Sequence, residues 1–220
     1  MTGIEAYQLG MSAIREAVGD DTWILACGAP MLPTVGHADS WRSGPDIAFS
    51  VAPDPDLAYL RNQVRSTGAR GFANGLWWWN DADVLLVREP TTAAGVSGAV
   101  VANVVTGGVW LLGDDLAALP ADRAALALNG AAMATAGASV APVDPLRFVS
   151  GFDTSPIIEL ALVDDQVPTT WILSSGQTAL LNMSDRTIEV QGPGGIELLS
   201  GVTAEAGPRT LEAGAGELWE

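Results

Sequence analysis

Val84-Leu85-Leu86-Val87 limits the possible folds of this chain more than any other stretch. Four consecutive apolar residues, with Asp83 before them and Arg88 after, leave a strand no polar face to turn toward water. A strand of that kind is buried on both sides, which is the situation of strands in parallel sheets covered by helices.

The residues around it repeat the same grammar. Residues 4–18 carry Ile4, Tyr7, Met11, Ile14 and Val18 at spacings of three and four, an amphipathic helix that Gly19 can stop. A short apolar run follows at 23–27, and a further strand is expected near residue 41. Asp54-Pro55 supplies a cap and first residue for a helix with Leu57, Leu60 and Val64 on one face, ending near Gly68. Residues 93–105 form the next helix despite Gly95 and Gly98, Gly107-Gly108 ends it, and Val109-Trp110-Leu111-Leu112 is another strand. Asp115 can cap a short helix, and Pro120-Ala121-Asp122-Arg123 can start another. Strand and helix thus alternate to about residue 130, the pattern of a parallel sheet. The count is about four strands, where a closed (β/α)8 barrel needs eight.

After about residue 140 the pattern changes. Short β-type runs at 157–162, 169–174, 178–181, 187–190 and 196–199 are separated by turns such as Ser175-Gly176 and Gly192-Pro193-Gly194-Gly195. Arg209 to Glu220 can add one or two closing strands. This predicts two domains: an α/β unit over 1–135 and an antiparallel β domain, a small sandwich, over 140–220.

At 220 residues, with 48% hydrophobic and 16% charged residues, the chain can bury a substantial core. Its net charge of −16 argues against nucleic acid and anionic membranes as partners, since both require basic surfaces. All the basic residues are arginine. No apolar run approaches the roughly 20 residues of a membrane span. The N-terminus lacks a basic segment followed by an apolar one, so a cytoplasmic location is expected. One cysteine excludes an internal disulfide, and with one histidine it leaves little for a transition-metal site. There is no glycine-rich nucleotide loop, and no cofactor is expected.

Chemistry gathers between Trp23 and Asp46. An apolar run ends at Cys27, a Gly/Pro-rich loop carries His37, and Trp41-Arg42-Ser43-Gly44-Pro45-Asp46 closes the stretch. Polar groups collecting where strands stop mark the active-site end of parallel α/β structures. The run Cys27-Gly28-Ala29-Pro30, Leu32-Pro33, Gly36, Asp39, Arg42, Gly44-Pro45-Asp46 resembles the α-galactosidases (melibiases) of glycoside hydrolase family 36, and more weakly those of family 27. Asn80-Asp81-Ala82-Asp83-Val84-Leu85-Leu86-Val87-Arg88 resembles the family's seventh-strand signature, with Ala82 where proline is usual. Leu111-Leu112-Gly113-Asp114-Asp115-Leu116 resembles the end of the eighth strand.

The resemblance covers roughly residues 7–125 and implies the second half of a (β/α)8 TIM barrel followed by an antiparallel β-sandwich domain. It also implies that Asp46 is the general acid/base of a retaining glycosidase, with Arg42 and Cys27 beside an α-galactoside sugar or oligosaccharide. The family's nucleophilic aspartate sits at the end of the fourth strand, upstream of the helix at residue 4. The expectation is therefore an acid/base half lacking its nucleophile, which an N-terminal barrel half would complete or homo-oligomerisation would cover. The alternative is a non-catalytic remnant or carbohydrate-binding subunit.

Each residue also has a plainer reading. Asp46 can be a turn aspartate, and Arg42 a structural ion-pair partner of Asp39 or Asp46. Cys27 can be a small buried apolar residue. Trp77, Trp78 and Trp79 are candidate sugar platforms, but three consecutive residues cannot share one face. Asp81 and Asp83 are read as anchors of the rim loop in preference to catalysts, Asp114 and Asp115 as helix-start residues, and His37 as a loop histidine.

Overall fold

A computed structural model describes residues 1–47, 57–135, 140–142, 167–173 and 175–220. The expected Asp54-Pro55 cap and the strand at 157–162 lie outside these residues.

The first helix, α1 (Gly3–Val18), is set by a capping box: Glu5 N–H donates to the Thr2 hydroxyl while the Glu5 carboxylate accepts from Thr2 N–H. Its anticipated apolar face is only partly covered. Met11 is buried, whereas Ile4, Ile14 and Val18 remain exposed. Two polar contacts tie it down, Tyr7 Oη to Thr34 Oγ1 at 2.6 Å and Arg15 to Asp39 at 2.5 Å. Thr34 ends a single helical turn, α2 (Met31–Thr34), that the glycine- and proline-rich sequence did not announce.

Four strands, β1 (Leu25–Ala26), β2 (Ser40–Arg42), β3 (Trp79–Leu85) and β4 (Val109–Leu112), form one parallel sheet in that order. Helices α3 (Leu57–Ala69) and α4 (Ala93–Thr106) link β2 to β3 and β3 to β4, and α5 (Ala121–Thr135) follows β4. The turn opened by Asp115 does not become a helix: the carboxylate accepts from Ala117 N–H, and regular helix begins at Ala121. Strand β3 starts well ahead of the Val84–Val87 run, because its polar first half finds partners inside the fold.

Register decides what each face carries. Ser40 aligns with Trp79 and Arg42 with Asp81, so these four share one face. Trp41 and Asn80 point to the other, where Trp41 stacks on Trp78 at 5.3 Å beneath Arg70. Among the described residues β1 pairs only with β2, and β4 only with β3, so both sheet edges are open.

The C-terminal part is antiparallel throughout. Strands β5 (Val140–Pro142), β6 (Thr170–Leu173), β7 (Thr178–Leu181) and β12 (Gly216–Trp219) make a four-stranded sheet in the order β12-β7-β6-β5. Strands β8 (Ile188–Gly192) and β11 (Gly207–Leu211) form one separate pair, and β9 (Gly195–Ile196) and β10 (Thr203–Ala204) another. Helix α4 is apolar nearly all round because it lies between the two halves. Val100, Val101, Val104 and Val105 share a core with Leu60, Val64 and Leu85 on one side and Trp171, Leu181 and Leu218 on the other.

Candidate active site

Arg42 ends β2, and its guanidinium binds three carboxylates. Nε donates to Asp81 Oδ2 at 2.8 Å, Nη1 to Asp46 Oδ1 at 2.9 Å, and Nη2 lies 3.0 Å from Asp83 Oδ1. The anchoring of the two β3 aspartates is backbone-deep. Asp81 Oδ1 accepts from Asp83 N–H at 2.8 Å, and Asp83 Oδ2 accepts from Ile47 N–H at 2.9 Å. Ser43 adds a further clasp, its N–H donating to the Asp81 carbonyl.

A break in regular pairing makes this possible. The register between β3 and β4 shifts between Asp81 and Val84, and Asp83 takes φ 70°, a left-handed value uncommon outside glycine. A strained backbone at a rim is one way a fold re-aims a side chain. Here it puts Asp83 beside Ile47, the residue after Asp46, and so fixes the loop that carries Asp46.

The three carboxylates differ in access. The Asp81 side chain is fully buried, that of Asp83 is 11% exposed, and that of Asp46 is 55% exposed. Burial works against the charge on Arg42, but the Asp81 hydrogen bond and the negative charges of Asp81 and Asp83 outweigh it and hold the guanidinium above its ordinary range. Arg42 is therefore a permanent cation that organises the rim.

Arg42 pairs with Asp46 and not with Asp39, which binds Arg15 instead. Cys27 follows β1 and is exposed, so its reading as a buried apolar residue does not hold. Ala26 aligns with Trp41 in the parallel pair, so Cys27, the next residue, lies at the same end of the sheet as Arg42. His37 is half-buried in its loop, its N–H donating to the Thr34 carbonyl. Asp114 starts no helix: it accepts from Val87 N–H and pairs with Arg88. The three tryptophans separate as their spacing requires, with Trp78 buried, Trp77 half-buried and Trp79 exposed. Among the described residues no group of three or more His, Cys, Asp or Glu is placed to hold a metal ion, and no helix is long and apolar enough to cross a membrane.

The Arg15–Asp39 pair gives a pH prediction. Burial raises the Asp39 pKa, but hydrogen bonds from Ile24 N–H and Arg15 outweigh it and leave the carboxyl below its usual value. A group whose folded value is depressed stabilises the protein above its unfolded pKa and loses that contribution as pH falls through the folded one. Stability is thus expected to drop below about pH 4, more in the wild type than in Asp39→Asn. The difference should stay within about 1 kcal/mol because the pair is partly solvated. Urea midpoints for both proteins across acid pH check this, and parallel curves would refute it.

No protein-family profile matches the chain. Its structure is similar to α-galactosidase I from Mortierella vinacea, with TM-score 0.61 and 14% identity over 98% of this chain and 62% of that one. It is similar to the GH27 β-L-arabinopyranosidase of Geobacillus stearothermophilus, with TM-score 0.66 and 14% identity over 96% and 53% of the two chains. It also resembles α-galactosidase from Saccharomyces cerevisiae, solved with raffinose, at TM-score 0.54 and 16% identity over 86% and 46%. At such identities the likeness establishes the fold alone: a parallel sheet and a β-rich region arranged as in GH27-type glycosidases. The likeness is to family 27, the weaker of the two resemblances in sequence. The chain spans between 46% and 62% of the length of these structures.

Proposed function

We propose that this chain is the acid/base half of a retaining α-galactosidase-like glycosidase, whose sequence motifs resemble those of family 36. In this reading residues 1–135 are strands five to eight of a (β/α)8 barrel, and 140–220 are the C-terminal β-sandwich domain. The observation that carries it is the Arg42 cluster at the rim. Of its three carboxylates only Asp46 is open to a ligand, while Asp81 and Asp83 are held by Arg42 and by backbone N–H groups. A retaining mechanism needs a general acid that protonates the leaving oxygen and then, as base, activates water. Asp46 is the group free to do so, with Arg42 orienting it and Cys27 beside the sugar.

The second carboxylate, about 5–5.5 Å from the first in retaining enzymes, must act as nucleophile. Asp81 and Asp83 do not qualify, since a carboxylate committed to a guanidinium and a main-chain amide has no free oxygen to attack an anomeric carbon. The nucleophile thus comes from a first barrel half, on this polypeptide or another. Helix α1 precedes β1 and α5 follows β4 in the chain, so each open edge comes with one flanking helix in sequence. A complement of four strands and three helices closes the barrel without duplication. A second copy of this chain would bring two helices to each junction and double a net charge of −16.

The test is turnover of 4-nitrophenyl α-galactoside. Residues 1–220 alone are expected to show none, because no glycosyl-enzyme intermediate can form. With the first half present, Asp46→Asn should slow raffinose hydrolysis by about 10²–10⁴-fold and the aryl substrate much less, since a good leaving group hardly needs the acid. Turnover by residues 1–220 alone, or equal loss on both substrates, would sink the assignment.

A further inference from the structure

At the opposite end of the sheet from Arg42, the segments entering β1, β2 and β3 border an open pocket of about 270 Å³. Trp23, Trp77, Trp78 and Trp79 line it together with Asp39 and Leu76. Half of the chain's eight tryptophans meet here, and Trp23 and Trp79 are 56% and 45% exposed. We infer that this pocket is a binding site for a single neutral pyranose ring, separate from the Arg42–Asp46 rim.

The rings are held in place. The indole N–H of Trp23 donates to Ser40 Oγ at 2.9 Å and that of Trp78 to Asn80 Oδ1 at 3.2 Å. Trp77 is braced edge-on between Phe72 and Trp78. Gly75, at φ 71°, makes the turn that carries Leu76 and Trp77 over the pocket. Aromatic surfaces fixed before a ligand arrives lose little entropy on binding.

The polar groups left over match hydroxyls. Among the described residues the indole N–H groups of Trp77 and Trp79 have no hydrogen-bond partner. Both hydrogen bonds from Arg15 and Ile24 fall on Asp39 Oδ2, leaving Oδ1 as an acceptor. Indole donors, a carboxylate acceptor and apolar ring faces among the lining residues suit a pyranose, which presents hydroxyls at its edge and C–H groups on its face.

Charge and size narrow the ligand further. An aromatic cage can also hold a quaternary ammonium ion. Here the one carboxylate is already neutralised by Arg15 at 2.5 Å, which removes the attraction a cation would need. The overall charge of −16 disfavours anions. The volume falls just below the range of about 300–1,000 Å³ for drug-sized ligands, which leaves room for one ring.

Titration of residues 1–220 with methyl α-D-galactopyranoside and methyl α-D-glucopyranoside, followed by tryptophan fluorescence and saturation-transfer NMR, tests the site. At least one glycoside is expected to bind saturably and to weaken at least about tenfold in Trp79→Ala, with Asp46→Asn unaffected. Circular dichroism checks that the variant folds, and Trp79→Phe, expected to retain part of the binding, serves if alanine is not tolerated. The inference fails if neither glycoside saturates, or if glycine betaine binds the pocket in their place. It fails also if binding survives Trp79→Ala but is lost in Asp46→Asn, a result that would instead place the sugar at the rim.

Discussion

Arg42→Ala is expected to lower the stability of this chain by about 3–5 kcal/mol, the cost of stranding a buried charge. The Asp81 side chain has no exposure to solvent, and Arg42 Nε, 2.8 Å from its Oδ2, is its counter-ion. Its other oxygen receives Asp83 N–H, so the carboxylate cannot turn toward water without breaking β3 at its bulge. Most of the effect should come from Asp81. The Asp46 pair is largely exposed and contributes little to stability. Combining Arg42→Met with Asp81→Asn should recover at least about half of the loss, because the asparagine oxygen still accepts from Asp83 N–H and the fully buried charge is gone, while Asp83 and Asp46, which also lose their counter-ion, keep some access to water. Urea unfolding midpoints at neutral pH measure both variants. A loss below about 1 kcal/mol for Arg42→Ala would mean that water reaches Asp81 and that the rim is not organised as described.

The same cluster shows where sequence reading succeeds and stops. Arg42 and Asp46 are four residues apart in a distinctive run, and their pairing was one of the alternatives open in the sequence. Asp81 and Asp83 were legible as anchors, since two aspartates just ahead of an apolar run need partners. Their partner was not legible. Arg42 lies 39 residues before Asp81, and only the parallel register of β2 and β3 brings them together. The left-handed backbone at Asp83 carries no local signal, because aspartate is common in ordinary turns.

The strands show a related limit. The starting point of β3 was misplaced because a buried strand is expected to be apolar, and Asn80 and Asp81 are buried polar residues. Each is satisfied from a distance: Asn80 N–H donates to Asn74 Oδ1, its side-chain amide donates to the Arg70 carbonyl, and Asp81 meets Arg42. Propensity cannot report a polar group whose partner lies on another element. Of the anticipated antiparallel runs, 169–174 and 178–181 appear as the hairpin of β6 and β7, while 196–199 shrinks to the short β9. The face of α1 was legible by spacing, but not its exposure. Helical periodicity marks which side chains would pack together; it does not supply the element they pack against.

Gly98→Ala is expected to destabilise the protein by at least about 2 kcal/mol, although alanine favours a helix over glycine by about 1 kcal/mol. In sequence, Gly98 weakened the expectation of a helix over 93–105. In the fold it permits one, because α4 passes so close to the turn before β12 that a Cβ on Gly98 would lie 1.7 Å from the Gly214 carbonyl oxygen. That neighbour is backbone and cannot rotate away. The return contact is equally tight, with a Cβ on Gly216 falling 2.7 Å from Val101 Cβ, and Gly216 N–H donates to Ser97 Oγ at 3.2 Å. Overpacking here pushes α4 off β12, and with it the valines that join the two halves of the core. Gly10→Ala supplies the opposite case. That glycine is mid-helix in α1 with nothing within 4 Å of its absent Cβ, so alanine should stabilise by up to about 1 kcal/mol. Denaturation midpoints of the two variants should therefore move in opposite directions. If both rise, the close approach of α4 to residues 214–216 is wrong, and the joining of the two parts through α4 falls with it.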